Sequence, residues 1–357
     1  MNEIFDIFEE LMSDDEEIIN FVERPRRRKQ FRQRKNHFEE WDDEAFLDRF
    51  RLSKDCILAI LEQIEEQISY LTDRNEAVDA LTQLLLTLRF YASGSMIIVA
   101  GDFGGIHKST ASRIIARVTR AIASLAQHYI KMPSTDEEKA QTTRKFYNVS
   151  RFPKVIGAID CTHVRIQSPG GDDAERYRNR KGYFSINVQT VCDAELRIQN
   201  IVARWPGSVH DSTIFGNSRL KALMETDYQD YFLVGDSGYP VENYLMTPLL
   251  NPNTPAQHLY NEAQIRTRNV VERSYGVWKR RFAVLSLGLR VKLTTTLNII
   301  VATAVLHNIA INMKVINPPP VEVNIENVEW DVAVYEERHG RDNVRTNLID
   351  NYFSHLL

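Results

Sequence analysis

The stretch VIGAIDCTHVRI, residues 155–166, carries an aspartate, Asp160, inside a run that is otherwise suited to burial. The residues before the aspartate are apolar or small, a pattern typical of a buried strand. A charge at such a position is unfavourable unless another group compensates it. The sequence therefore predicts a buried strand that ends in an acid, and the role of that acid depends on its companions.

The composition is that of an ordinary globular protein. The chain of 357 residues is long enough for two domains, with 43% hydrophobic and 26% charged residues. The formal net charge of -4 does not indicate a nucleic-acid partner, so local patches of charge have to be considered. Cys56, Cys161 and Cys192 show no paired spacing, which argues against a disulfide framework and against a zinc cluster.

One late stretch is apolar enough to raise the question of a membrane span. LNIIVATAVLHNIAINM, residues 297–313, is interrupted by His307 and Asn308 and is short for a bilayer crossing. The sequence therefore predicts a buried helix and no membrane partner.

The charge changes sign abruptly in the N-terminal part of the chain. Residues 1–22 are acidic, whereas ERPRRRKQFRQRK at 23–35 is basic. Such a block indicates a nuclear-import signal or an arm that contacts DNA, although a solvated linker has the same composition. The protein is therefore expected in the nucleus, with a cytoplasmic pool left open.

The hydrophobic period divides the rest of the chain. Apolar residues first recur at three- and four-residue intervals, whereas strand-like runs such as VIGAID and YFLVGDSGY alternate with helical patterns later on. An all-helical domain is therefore expected to precede an α/β domain. The predicted boundaries are an N-terminal tail at 1–40 that is first acidic and then basic, a helical domain at 41–148, an α/β domain at 149–316 and an acidic C-terminal tail at 317–357.

The helical domain contains a candidate helix-turn-helix in GDFGGIHKSTASRIIARVTRAI, residues 101–122. Small residues are needed where the two helices cross and at the turn, and Gly101, Gly105 and Ala111 fall at those places. Any helical hairpin with a glycine turn and a basic face has a similar pattern. The exposed face of the second helix would present groups able to bond phosphates and base edges, namely Lys108, Ser109, Ser112 and Arg113.

Two predicted strands end in an aspartate, Asp160 in VIGAID and Asp236 in YFLVGDSGYP. Because sites in open α/β sheets form at the carboxyl ends of strands, the coincidence has a geometric meaning. Glu272 follows in a helical pattern, between an apolar stripe and a basic face, where a surface ion pair with Arg268 is the competing interpretation. Asp211 begins a predicted helix, a place where an acid needs no catalytic explanation.

Acids gathered in this way can hold two divalent metal ions about 4 Å apart, an arrangement that breaks phosphodiester bonds by in-line attack. Oxygen-rich ligation favours Mg2+ or Mn2+. His163 and His210 lie next to the acids in sequence and are candidates for proton transfer, for DNA contact or for a place in the core.

A second basic surface is predicted in RYRNRKGYFS, before the second strand of the α/β domain. Arg178, Arg180 and Lys181 are expected in a turn with tyrosines between them, where they would contact phosphates. A solvated hairpin tip is the alternative.

Six ordered motifs, AIDCTHV, NRKGYFSINVQ, PGSVHDS, LVGDSGYP, VVERSYGVWKRRF and VLHNIA, resemble the PIF/Harbinger superfamily of DDE transposases. The resemblance is strongest to its domesticated relatives, the Harbinger transposase-derived nucleases. It implies an RNase H-like DDE nuclease core of α/β class, preceded by the all-helical domain with its helix-turn-helix.

The resemblance also implies roles for particular residues. Asp160, Asp236 and Glu272 match the catalytic acids of the family, and Asp211 matches an acid of its PGSxHDS motif that would be a further metal ligand. The implied activity is two-metal cleavage of DNA with Mg2+ or Mn2+, with strand transfer left open. The competing function is a catalytically silent DNA-binding protein that keeps the nuclease core as a scaffold.

The resemblance finally implies partners beyond DNA. Harbinger elements encode a second, Myb-like DNA-binding protein that assists the transposase, so a Myb/SANT-like partner is expected here. A homo-oligomer is left open.

Overall fold

The computed structural model describes residues 34–70, 77–319 and 343–357. The described residues from 35 onwards form one compact unit. The acidic stretch at 1–22 and nearly all of the basic block at 23–35 lie outside the described residues, so their predicted roles stay predictions.

The chain is helical ahead of the sheet. Polar side chains cap several of these helices; the Ser53 hydroxyl, for example, accepts a hydrogen bond from the backbone of Cys56. The helices are α1 His37–Glu40, α2 Asp43–Phe50, α3 Lys54–Ile68, α4 Ala80–Ser93, α5 Ile97–Phe103, α6 Lys108–Ser124, α7 Ala126–Tyr129 and α8 Asp136–Ser150.

Helices α5 and α6 pack together through small residues. A side chain at Gly101 would lie 2.6 Å from the carbonyl oxygen of Ile106, and the same position faces Ala111, which is fully buried. Gly105 takes a left-handed conformation, with φ of 63°, in the turn between the two helices. The expected crossing residues are therefore in contact, while a role of this pair in reading DNA stays a prediction.

Five strands form one mixed sheet: β1 Val155–Arg165, β2 Ser185–Cys192, β3 Ile198–Pro206, β4 Phe232–Val234 and β5 Leu245–Met246. Their spatial order is β3-β2-β1-β4-β5. The pairs β1–β2 and β2–β3 are antiparallel, whereas β1–β4 and β4–β5 are parallel. This mixed sheet with its helices confirms the α/β class.

The helices that follow cover the sheet and join it to the earlier helices. They are α9 Asp211–Gly216, α10 Arg219–Thr226, α11 Pro255–Arg281, α12 Val284–Leu287 and α13 Leu293–Asn312. Helix α13 packs against both α6 and β3. One cluster of buried apolar residues accordingly includes Ile115 of α6 and Val188 of β2. The helices and the sheet share a core, and the boundary proposed between them at about residue 148 stays a prediction.

Among the described helices, α13 is long and apolar enough to cross a membrane. However, 67% of its most apolar segment is buried inside the protein. Its two polar residues are also bonded there. His307 Nε2 lies 2.9 Å from the carbonyl oxygen of Leu196, and Asn308 bonds both the N–H and the carbonyl of Ile198 on β3, at 2.8 and 2.7 Å. The helix is therefore a core element, as the interrupting His307 and Asn308 indicated.

Residues 343–357, predicted as part of an acidic tail, pack onto the core. They form α14 Asn343–Asn351 and a 3-10 turn at Phe353–Leu356. The buried ring of Phe353 lies 5.5 Å from the rings of both Phe152 and Tyr260. These last residues are therefore part of the folded core, and the acidic stretch before them lies outside the described residues.

Asn308→Ala should destabilise the fold by about 2 to 4 kcal/mol, because it leaves the buried N–H and carbonyl of Ile198 without partners. Urea denaturation measures the change. Asn312→Ala, at the exposed end of the same helix, is the matched control and should shift the unfolding free energy by less than about 0.5 kcal/mol. Equal stability of the two variants would contradict the role of Asn308.

Candidate metal-binding carboxylate site

Three aspartates meet beside the middle of β1 and the carboxyl end of β4. The prediction that the first strand ends at Asp160 is wrong, because β1 stays paired with β2 as far as Arg165. Ala158 of β1 pairs with Val234 of β4, and an aspartate follows each of these residues by two positions, at Asp160 within β1 and at Asp236 just after β4. Asp211, the first residue of α9, completes the group. One carboxylate oxygen from each of the three aspartates lies within 4.8 Å of the others. The register of β1 against β4 thus brings Asp160 and Asp236 together, as the two apolar runs predicted.

A hydrogen bond from a nearby N–H group holds each carboxylate. Asp160 Oδ1 accepts from its neighbour's backbone N–H, that of Cys161, at 2.8 Å, and Asp236 Oδ1 accepts from the backbone of Gly238 at 3.0 Å. Asp211 Oδ1 accepts from Asn187 Nδ2 on β2 at 2.9 Å. These bonds fix the carboxylates and leave an oxygen on each one for another ligand.

The aspartates are close enough to repel one another in a partly desolvated place. Burial, and then the charge of Asp236, raise the pKa of the Asp160 carboxyl to about 8, while the guanidinium of Arg268 opposes the shift. Burial, and then the charge of Asp211, also raise the pKa of Asp236. A bound cation would therefore reduce the repulsion among the three aspartates. Their carboxylate oxygens are hard donors, which fit Mg2+ or Mn2+.

Glu272 lies beside the three aspartates rather than among them. It is on α11, with its side chain 44% exposed, and its Oε1 is 2.9 Å from Arg268 Nη2. The pair expected as the competing interpretation is thus present. Arg268 is nevertheless buried, and its Nη1 also lies 3.9 Å from Asp160 Oδ2. One guanidinium therefore joins Glu272 to the aspartates, and the charge of Glu272 contributes to the raised pKa of Asp236.

Helix α11 brings two further polar groups to β1. Lys279 Nζ donates to Thr162 Oγ1 at 2.6 Å and to the carbonyl oxygen of His163 at 2.9 Å. The hydroxyl of Tyr275 donates to the carbonyl oxygen of Asp160 at 2.6 Å. Burial lowers the pKa of Lys279 to about 8. In the sequence Tyr275 falls in the apolar stripe beside Glu272, and helical spacing does not reveal the contact of its hydroxyl.

Asn187 is another site residue that the sequence analysis missed. It lies on β2, all of whose residues are buried, and it also donates to the carbonyl oxygen of Val209 at 2.9 Å. A signal for it existed, since an amide inside the run SINVQTVC needs a partner.

The two histidines next to the acids occupy different surroundings. His163 is half-buried, with Nδ1 3.1 Å from Ser185 Oγ, and burial lowers its pKa. His210 is exposed, and its Nδ1 lies 2.7 Å from Arg180 Nη2. His163 therefore belongs to the sheet beside the site, and His210 to its surface.

The predicted basic hairpin divides into residues with different contacts. Arg178 holds its own loop together, with two contacts to Glu175 at 2.7 and 3.0 Å. Arg180 reaches His210, which precedes Asp211, and the charge of Lys181 contributes to the lowered pKa of His163. Arg180 and Lys181 therefore lie on the side of the aspartates, whereas Arg178 is engaged elsewhere. The predicted contacts of all three residues with DNA stay predictions.

The residues of the candidate helix-turn-helix lie in a separate surface. All four predicted DNA contacts on α6 are exposed. They are Lys108, Ser109, Ser112 and Arg113. Ser109 Oγ lies 2.9 Å from His107 Nδ1, so the start of the helix is locally ordered.

Residues 159–308, which include all four acids, match a family described as "DDE superfamily endonuclease". The chain is 34% identical over 322 residues to "Putative nuclease HARBI1" of Rattus norvegicus, covering 87% of this chain and 91% of that protein. It is 35% identical over 274 residues to the protein of the same name from Homo sapiens, covering 75% and 78%.

A more distant relative is "Protein ALP1-like" of Arabidopsis thaliana, at 26% identity over 300 residues, covering 76% of this chain and 72% of that protein. The chain belongs to the family of Harbinger-derived DDE nucleases. No solved structure matches it.

Asp236→Asn should raise the melting temperature of the metal-free protein by about 2 °C or more, because it removes a charge that is partly buried and that repels the charge of Asp211. It should also abolish the stabilisation by Mn2+, which for a bound ion at 100 times its Kd is about 2.7 kcal/mol. Thermal unfolding with and without Mn2+ measures both effects.

Asp230→Asn provides the control, because Asp230 is an exposed acid outside the aspartate group. This variant should respond to Mn2+ as the wild-type protein does. A full Mn2+ response in Asp236→Asn would contradict the assignment of Asp236 as a metal ligand.

Proposed function

We propose that the protein is a metal-dependent DNA endonuclease with an RNase H-like core. The observation that carries the proposal is the approach of one oxygen each from Asp160, Asp211 and Asp236 to within 4.8 Å. The sheet order β3-β2-β1-β4-β5 and the nuclease names of the relatives support it. Asp160, Asp236 and Glu272 are the proposed catalytic acids, and Asp211 is the proposed additional ligand.

The proposed ligands differ in how ready they are to bind metal. Asp160, Asp211 and Asp236 are already together, whereas Glu272 is engaged by Arg268 at 2.9 Å. When bound, a pair of divalent ions supplies activation of the attacking water or hydroxyl and compensation of charge at the leaving oxygen. The role of the protein is to hold its four carboxylates and to place the DNA phosphate beside them.

Basic groups around the aspartates favour an anionic substrate. Arg180 and Lys181 of the hairpin stand near the side of the site where Asp211 and His163 lie, and Lys279 is bonded to β1. Together their positive charges reduce the repulsion between the acids and the phosphates of a DNA backbone. We assign Arg180 and Lys181 to contact with DNA phosphates. Arg178 is assigned to the same surface, but it should contribute less to DNA affinity because it already pairs with Glu175.

Asp160→Asn, Asp236→Asn and Glu272→Gln should each lower the cleavage rate of DNA by at least about 100-fold while retaining DNA binding. The assay uses linear DNA that carries candidate terminal repeats, with Mg2+ or Mn2+, and binding is measured in parallel. Asp230→Asn should cleave as the wild-type protein does. Full cleavage by any of the three variants removes that residue from the catalytic set, and wild-type binding without cleavage favours the silent scaffold.

The helix-turn-helix is proposed as the element that selects the DNA. Lys108→Ala and Arg113→Ala should each weaken binding and lower the slope of log K against log salt concentration by about 1, because each removes a phosphate contact. Arg120→Ala, on an exposed later turn of α6, is the control and should change binding less. Unchanged binding in both Lys108→Ala and Arg113→Ala would exclude the helix from the DNA interface.

The remaining expectations follow from the proposed activity. A nuclear location is proposed, because the proposed substrate is DNA and the block at 23–35 is basic. A Myb/SANT-like DNA-binding partner is proposed from the Harbinger resemblance, and strand transfer and self-association are further proposals. Co-purification with such a partner and imaging of the tagged protein test them.

A further inference from the structure

Helix α11 carries polar side chains on its buried face, where a core helix would ordinarily carry apolar ones. Gln264 is fully buried, Arg268 and Tyr275 are each 8% exposed, and none of the three faces solvent freely. Burying such groups is unfavourable unless they form hydrogen bonds. Their partners therefore indicate what the helix face is for.

Gln264 bonds the end of β4. Its Nε2 donates to the carbonyl oxygen of Gly235 at 2.6 Å and lies 3.4 Å from that of Met246 on β5. Gly235 immediately precedes Asp236 and has little room to move, since a side chain there would be 3.0 Å from the ring of Tyr239. The amide thus fixes the peptide unit from which Asp236 departs.

Tyr275 bonds the backbone of Asp160 itself on β1. Its hydroxyl donates to the carbonyl oxygen of Asp160 at 2.6 Å and accepts from Thr190 Oγ1 at 3.0 Å. Thr190 is the residue opposite Asp160 in the β1–β2 pair. The phenol therefore ties Asp160 to both its neighbouring strand and α11.

From these contacts we infer that Gln264 and Tyr275 are positioning residues that set the separation of the Asp160 and Asp236 carboxylates. Both belong to the 27-residue helix that also carries Glu272, so one rigid element relates all three acids. The inference rests on the proposed metal-dependent function. Supporting groups of this kind contribute to metal affinity because they orient the ligands that contact the ion.

The test compares direct Mn2+ binding by Gln264→Met and Tyr275→Phe in the full chain, followed by the paramagnetic resonance signal of free Mn2+. Each substitution keeps the size of the side chain and removes the hydrogen-bonding group. The Kd for Mn2+ should rise by about 10- to 100-fold in each variant. Metal-free DNA binding should stay at the wild-type value.

Ser274→Ala is the matched control on the same helix. Ser274 is fully buried, and its hydroxyl donates at 3.0 Å to the carbonyl oxygen of Leu196, between β2 and β3 rather than next to an acid. This variant should lose stability by about 1 kcal/mol, which urea denaturation measures, and keep the wild-type Kd for Mn2+.

Two outcomes would overturn the inference. In the first, Gln264→Met and Tyr275→Phe bind Mn2+ as tightly as Ser274→Ala, which would mean that both hydrogen bonds only stabilise the fold. In the second, the wild-type protein binds no Mn2+. If the wild-type protein binds Mn2+ but does not cleave DNA, only the nuclease proposal is refuted. The Kd values for Mn2+ of the variants, relative to that of the wild-type protein, still test the positioning roles.

Discussion

The structure depends on bringing together negative charges that repel one another. Asp160 lies within β1, Asp236 follows the end of the parallel strand β4, and Asp211 faces them from the start of α9, within 4.8 Å. Partial burial strengthens the repulsion, because less water separates the charges. The arrangement persists because apolar strands fix the backbone on one side and hydrogen bonds fix the carboxylates on the other. The fold thus stores an unfavourable electrostatic interaction that a cation relieves.

Helix α11 provides most of the compensation that the protein itself can offer. Arg268 brings a buried positive charge within 3.9 Å of Asp160 and at the same time engages Glu272. A single guanidinium cannot replace a metal ion. Arg268 is 3.9 Å from Asp160, and it forms no ion pair with Asp236 or Asp211. It does neutralise part of the site, which explains how the fold tolerates three close acids and a nearby fourth.

Much of this could be predicted from local sequence, and the failures have a common physical cause. The apolar runs before Asp160 and Asp236 identified two neighbouring strands and the place where their acids meet, because burial is a local property, whereas the continuation of β1 to Arg165 depends on its pairing with β2. Burial of Arg268 and the partner of Asn187 depend on packing between distant segments, which periodicity does not encode. Likewise, the return of Phe353 to Phe152 spans 201 positions of the chain and left no signal in an acidic tail.

The two edges of the sheet are closed in different ways. At β3, the side-chain amide of Asn308 occupies both the N–H and the carbonyl of Ile198, so that part of the edge cannot accept another strand. At the opposite edge, β5 is only two residues long. Exposed strand edges are templates for pairing between chains, and short or occupied edges suppress it. A second copy of this protein would therefore find no free backbone groups at Ile198 and only two residues to pair with on β5, so both places disfavour a sheet shared between copies.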